Sequence, residues 1–444
     1  KAWRDFLSWF LCVEYKGGSR HLSTHIYGRL GARHDILIDY PCRQGLAMQT
    51  SPSEAIPAAI STNRSRRWLI VAYVAAVTFY WASLYFYVPT LPVYVREKVN
   101  TLTAVGTILS MYGLWQALIR LPLGIATDWA GWRKPFILGG FVLSGVGAWV
   151  MATAQTGAGL GVGRAITGLA AGTWVPLTVI FSSLFPANEA VRATAILTAV
   201  NSLSRMAATG TTGWLNGLGG YSLAFYVAIA IAIVAILVVL PIKEPRLQPV
   251  KPSFGTVTAL ITRPDVLRPA ILCALSQYVT WSATLSFTPI LAHNLGASDM
   301  VQSLLTSGSI GLITLGNLAT VTLEKKVGNH SLAHVSFVLL GLGALVAAVA
   351  PNLGVLFVAQ IFASVGSGIA QPLLMGMSIA KVEGNQRATA MGLHQAVYGI
   401  GMFLGPFISG ALADWMGIQP MFGVTGFFCL LLGYLGVRWM ASKR

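Results

Sequence analysis

Apolar runs of about 20 residues follow one another along nearly the whole chain, the length an α-helix needs to cross a hydrocarbon core of about 30 Å. They fall at about 68–92, 102–126, 135–155, 158–183, 193–215, 222–242, 269–292, 300–323, 331–350, 354–379, 388–413 and 420–440. Composition agrees: 55% hydrophobic and 10% charged residues, with a mean hydropathy of +0.67, lie outside the range of soluble domains. The reading is an all-α polytopic membrane protein of twelve transmembrane helices, with both termini on one side of a lipid bilayer.

A net charge of +16 would fit a nucleic-acid partner, but its distribution excludes one. Arg64, Arg66 and Arg67, Arg133 and Lys134, Arg192, the stretch Lys243 to Arg268, Lys325 and Lys326, Lys381 and Arg387, and Lys443 and Arg444 all fall on one side. The opposite loops carry only Arg96 and Lys98. This is the positive-inside bias, which places both termini in the cytoplasm and the protein in a plasma membrane. No nucleotide-binding loop of the Gly-x4-Gly-Lys-Ser/Thr type occurs, so no ATP and no cofactor are expected. Cys12, Cys42, Cys273 and Cys429 have no metal-site or disulfide spacing.

Residues 1–47 mix charge, histidine and short apolar pieces without a sustained period, and they do not follow the order of a signal peptide. Met48 opens a polar lead of the kind that precedes a first span, so the native start is expected there. The expected organisation is a cytoplasmic tail 1–67, a first bundle 68–242, a charged, proline-containing linker 243–268 and a second bundle 269–444.

Between the second and third runs lies Gly124-Ile125-Ala126-Thr127-Asp128-Trp129-Ala130-Gly131-Trp132-Arg133-Lys134. So short a connection turns two membrane helices back on each other, with Gly131 permitting the tight turn. Arg120, Gly124 and Asp128 recur every four residues and so share one helix face. A carboxylate at Asp128 can then sit at the positive N-terminus of a partner helix, expected to be span eleven. Arg120, Gly124, Asp128, Gly131 and Arg133 are therefore read as an inter-helix latch.

An internal repeat supports two related halves. Leu160-x3-Arg164-x7-Gly172-x3-Pro176 recurs as Leu356-x3-Gln360-x7-Gly368-x3-Pro372, and each leads into Arg-Ala-Thr-Ala, at Arg192 and at Arg387. The loop string resembles the signature of the major facilitator superfamily, Gly-x-x-x-Asp-x-x-Gly-x-Arg-Lys, with every position filled. The stretch from Leu160 to Gly168 resembles the superfamily's second signature, with Thr167 in place of Gln. Pro89-x-x-Pro92 resembles a signature of drug:proton antiporters, while Gly210-Thr211-Thr212-Gly213-Trp214 lacks the proline of the antiporter signature in span five. The resemblance covers about residue 68 onward. It implies two six-helix halves with a solute site between them near the midplane.

Polar residues inside the spans mark the cavity. Span five carries a face including Asn201 and Arg205; span ten offers Gln360 and Gln371, span two Tyr112, Gln116 and Arg120, span eight Asn317, span eleven His394 and Tyr398. A charge at the bilayer centre costs about 2.5–3.5 kcal/mol on insertion scales, so Arg164 and Arg205 need partners, and no Asp or Glu lies mid-span. Backbone carbonyls with Asn201 and Gln116 would solvate them, or an anionic, acceptor-rich solute would. Trp81, Tyr85, Tyr278 and Trp281 are the aromatic candidates for an amphipathic solute. His394, with an ordinary pKa of about 6.5, is the leading mid-membrane carrier if protons are coupled.

The expected function is secondary active transport of a small organic solute by alternating access in a monomer, with proton-linked efflux ahead of uptake. The alternative is uptake or facilitated diffusion of an anionic or polar metabolite. A membrane sensor or embedded enzyme would need an added domain or a metal or nucleophile constellation, and the sequence has neither.

Overall fold

The computed structural model describes residues 63–186, 189–244, 259–383 and 386–442, without the side chains of 63–65, Asp128, 190–192, Thr194, Arg387 and Ala388. The tail 1–62, including the expected start at Met48, and most of the linker lie outside the described residues.

Every backbone polar group in hydrocarbon must be satisfied within its own segment, and the described residues fold almost entirely as helices. In order they are α1 (Asn63–Tyr85), α2 (Leu91–Lys98), α3 (Leu102–Ala130) and α4 (Lys134–Thr153). Next come α5 (Gly157–Ala171), α6 (Trp174–Ser182) and α7 (Ala190–Val239). After the linker follow α8 (Pro264–Val279), a π-helical stretch Thr280–Phe287 and α9 (Thr288–Asn294). The last five are α10 (Asp299–Val327), α11 (Asn329–Ala348), α12 (Leu353–Ile379), α13 (Arg387–Met416) and α14 (Ile418–Ala441).

Ten helical stretches among the described residues are long and apolar enough to cross a bilayer. The count differs from twelve for two local reasons. Helix α7 holds two spans, because the chain turns at Gly219 and Gly220, the latter at φ +68°, where only glycine is unstrained. Span seven is cut by the π-helical stretch into pieces too short to qualify. Allowing for both, the described residues are consistent with twelve legs.

The two faces of the bundle are finished differently. On one face α3, α5, α10 and α12 start at Thr101, Thr156, Ser298 and Asn352, each accepting a backbone N–H three residues on. On the other, basic face Gly131 ends α3 in the left-handed conformation at φ +61°. Glu244, beyond α7, then accepts the backbone N–H of Lys134 at 2.6 Å and that of Arg133 at 3.1 and 3.2 Å. A carboxylate is thus set against the positive start of α4.

The first six and last six spans meet chiefly through α3 on α13 and α7 on α10, and they meet tightly toward the capped face. A Cβ on Gly106 would stand 2.1 Å from the Pro406 carbonyl oxygen, and one on Gly113 2.7 Å from the Met402 backbone. At the rim Asp414 accepts the backbone N–H groups of Leu102 and Thr103, each at 2.7 Å, and the Thr103 hydroxyl at 2.5 Å. Across the α7–α10 seam Ser303 accepts from Gly213 N–H at 2.7 Å, and Asp299 from Asn216 at 2.8 Å. Toward the basic face the glycines of α3 and α13 show no such approach. A Cβ on Gly124 would find only Val175 at 3.8 Å, and one on Gly392 nothing within 4 Å. The hydrogen bonds described between the halves all lie from the capped rim to the Arg120–Tyr398 pair at mid-depth.

The residues sealing the rim repeat a pattern. Gly410-Ala411-Leu412-Ala413-Asp414-Trp415-Met416-Gly417 keeps the Gly-x3-Asp-Trp-x-Gly spacing of Gly124 to Gly131. One copy ends α3 at the basic face and the other ends α13 at the capped face. Because α3 and α13 run antiparallel, Asp414 stands beside the first turn of α3, while the Asp128 side chain lies outside the described residues.

Candidate central binding site

Between the halves a cavity of about 140 Å³ remains. The first six spans line it with Trp81, Tyr85, Tyr112, Gln116, Arg120, Trp174, Asn201 and Arg205. The last six contribute Gln277, Thr280, Trp281, Ser309, Ser367, Gln371 and Tyr398, with the apolar Leu285, Ile310, Ile313 and Met402.

Two breaks in helical regularity aim side chains into this space. In span four the chain loosens at Gly172 and Thr173 ahead of Pro176, which has no N–H to carry the ladder on. Tyr80 OH then donates to the Ala170 carbonyl at 2.8 Å and accepts from Thr173 Oγ1 at 3.0 Å. That exchange seats α6 so that Trp174 meets Trp81, ring centres 5.3 Å apart. In span seven the wider π turn, a form common at functional sites, puts Thr280, Trp281 and Leu285 on the lining. Trp281 stacks on Tyr112 of the other half at 5.3 Å and 22°.

The charged groups of the lining are all cations. Arg205 lies 4.3 Å from the centre of the Tyr85 ring and 5.8 Å from that of Trp81, and its Nε has no hydrogen-bond partner. Buried Arg120 donates to Tyr398 OH and lies 5.1 Å from that ring's centre, again with Nε unpartnered. Arg164 is also buried but stands behind the lining, 4.5 Å from the Tyr112 ring centre, with Nε and one terminal nitrogen unpartnered. Among the described residues no carboxylate lines the cavity.

Nine of the candidates thus come together: Trp81, Tyr85, Tyr112, Gln116, Asn201, Arg205, Trp281, Gln371 and Tyr398. Arg164, Tyr278, Asn317, Gln360 and His394 are off the lining. Tyr278 pairs with Ser409 Oγ at 3.3 Å, and Gln360 is buried in α12. Both nitrogens of fully buried His394 are unpartnered, its ring edge-on to Tyr398 at 6.0 Å.

The latch row divides. Arg120 faces α13, whereas Gly124 faces Val175 of α6, so the row does not address a single partner, since helix twist carries its lower turn toward span four. The backbone of Arg133 binds the end of span six, Gly131 makes the expected turn, and the Asp128 side chain lies outside the described residues. Arg120, read both as a polar residue of span two and as a member of the latch row, lies on the cavity lining. Sequence reasoning missed Gln277, Thr280 and Ser309, although Gln277, Thr280, Thr284 and Thr288 in span seven and Gln302, Thr306 and Ser309 in span eight recur at helical spacing, which was the available signal.

A larger groove of about 930 Å³ lies between α3 and α5, within the first half. It is lined almost wholly by apolar side chains and has no charged group, as a lipid-facing furrow would.

The sequence matches the Major Facilitator Superfamily profile over residues 69–289 and 270–444. The chain belongs to the Major Facilitator Superfamily. It is a multi-pass membrane transporter of the alternating-access kind. Among curated relatives, it is 26% identical over 318 residues to the transcription regulatory protein OpdE of Pseudomonas aeruginosa, covering 70% of this chain and 78% of that protein. It is 26% identical over 374 residues to multidrug resistance protein 1 of Bacillus subtilis, covering 80% and 92%. Its fold is also that of a bacterial homologue of the human lysosomal transporter Spinster, solved inward-facing and unoccupied. The two superpose with a TM-score of 0.73 at 14% identity, over 86% of this chain and 98% of the other.

Proposed function

We propose that the protein exports a small organic solute from the cytoplasm in exchange for protons. The observation that carries this reading is the central cavity, closed by backbone contact toward the capped face while the glycines of α3 and α13 show no such approach toward the basic face. The basic loops make the latter face cytoplasmic by the positive-inside bias, so a solute would load from inside. The likeness to a multidrug resistance protein supports export.

The cationic lining favours a second reading, uptake or facilitated diffusion of an anionic or polar metabolite. Proteoliposomes separate the two. A solute found by thermal shift on the purified protein should accumulate against its gradient when a proton gradient is imposed, and should only equilibrate without one. Equilibration alone under both conditions would identify a facilitator.

A further inference from the structure

Taking a charge out of water costs several kcal/mol even after relaxation. Arg120, Arg164 and Arg205 sit in or against one enclosed space, and no carboxylate lines it among the described residues. Their compensation within the protein is aromatic: Tyr398, Tyr112 and Tyr85 lie at 5.1, 4.5 and 4.3 Å. A cation over an aromatic face gains about 0.5–2 kcal/mol, which leaves part of the cost standing. The unpartnered Nε atoms of Arg120 and Arg205 belong to planar forks whose geometry matches a carboxylate's two oxygens.

Size and walls narrow the class further. The space is about 140 Å³, and an apolar protein cavity of about 150 Å³ accommodates benzene. The Trp81–Trp174 pair and the Tyr112–Trp281 stack supply flat walls. Opposite the arginines Gln277, Gln371 and Ser309 offer only neutral dipoles.

Resting on the reading of this cavity as the transport site, we propose that its cargo is a small organic anion built on one aromatic ring, its carboxylate held by Arg205 and Arg120. A cationic compound of the same shape would meet the same guanidinium groups as repulsion. The charge filter lies in the first half; the neutral second half completes the fit around the ring.

Three probes sharing one ring test the assignment: 4-nitrobenzoate, 4-nitrobenzyl alcohol and 4-nitrobenzylammonium. Each quenches tryptophan, and Trp81, Trp174 and Trp281 line the site. With the full chain in neutral-lipid nanodiscs, 4-nitrobenzoate should quench saturably and bind about tenfold or more tighter than the alcohol, the scale of a charge-assisted hydrogen bond. The ammonium compound should bind more weakly than the alcohol. Arg205→Gln should abolish the preference for the acid while keeping affinity for the alcohol, which also shows that the variant is folded. Arg205→Lys should restore part of it. Equal or tighter binding of the alcohol or the ammonium compound, an unchanged preference in Arg205→Gln, or failure of all three probes to bind would overturn the proposal. Exchange in proteoliposomes tells the two readings apart. Transport of the ammonium compound would leave the transporter reading standing and remove the anion; acid bound through Arg205 yet never exchanged would do the reverse.

Discussion

The carboxylate of Asp414 accepts both the backbone N–H and the hydroxyl of Thr103, at 2.7 and 2.5 Å, and so ties the end of α13 to the start of α3. A carboxylate at an exposed helix N-terminus is worth about 0.3–1 kcal/mol, so Asp414→Asn should shift the balance toward the state open at the capped face by up to about fivefold. Spin labels at exposed Thr101 and Trp415 should report a larger population at long separation. An unchanged distance distribution would make the contact incidental.

Asp128 holds the same place in the same spacing at the opposite end of the pair. Asp128→Asn should cripple transport and push the balance the other way, shortening the Thr101–Trp415 distances, because it weakens closure at the basic face by about the same amount. Wild-type transport by a well-expressed Asp128→Asn variant would remove it from the mechanism.

Gly106 and Gly124 lie on one helix and should respond in opposite senses to alanine. At Gly106 the added methyl meets the Pro406 carbonyl oxygen at 2.1 Å, so Gly106→Ala should cost about 1–3 kcal/mol through overpacking. At Gly124 it meets only Val175 at 3.8 Å, and alanine is the better helix former by up to about 1 kcal/mol. Thermal unfolding of both variants in detergent checks the contrast.

His394 is fully buried, partnerless at both nitrogens and absent from the cavity lining. His394→Gln should therefore preserve solute accumulation driven by a pH gradient in proteoliposomes. Intact exchange with accumulation abolished would instead establish it as the proton carrier; survival leaves Asp128 and Asp414 at the helix ends as candidates for coupling.

Most of the architecture was legible because its cause is repetitive: one apolar run per crossing, one set of basic loops, one recurring Arg-Ala-Thr-Ala. The turn at Gly219–Gly220 falls in the gap expected between spans five and six, whereas the π-helical stretch in span seven leaves the hydropathy of that run unchanged and so gave no signal. The polar stripe of span five led to Asn201 and Arg205, which the cavity shares. It could not separate Arg205 from Arg164, since both are interior cations and only the position of Tyr112 decides which one faces the lining. Arg120 was legible as a polar residue of span two, but periodicity assigns a helix face and does not tell which neighbour, here Tyr398, a long side chain reaches.

The cavity's two guanidinium groups both belong to the first six spans, while the last six present only uncharged side chains. When the halves rock, an anion held by those cations rides with the first half, and the second slides past it by trading one weak dipole for another. No ion pair then has to break in mid-passage, and the solute's main electrostatic attachment is the same whichever side is open. A carrier built this way has no preferred direction of its own, so the imposed gradient alone would decide whether it empties the cell or fills it.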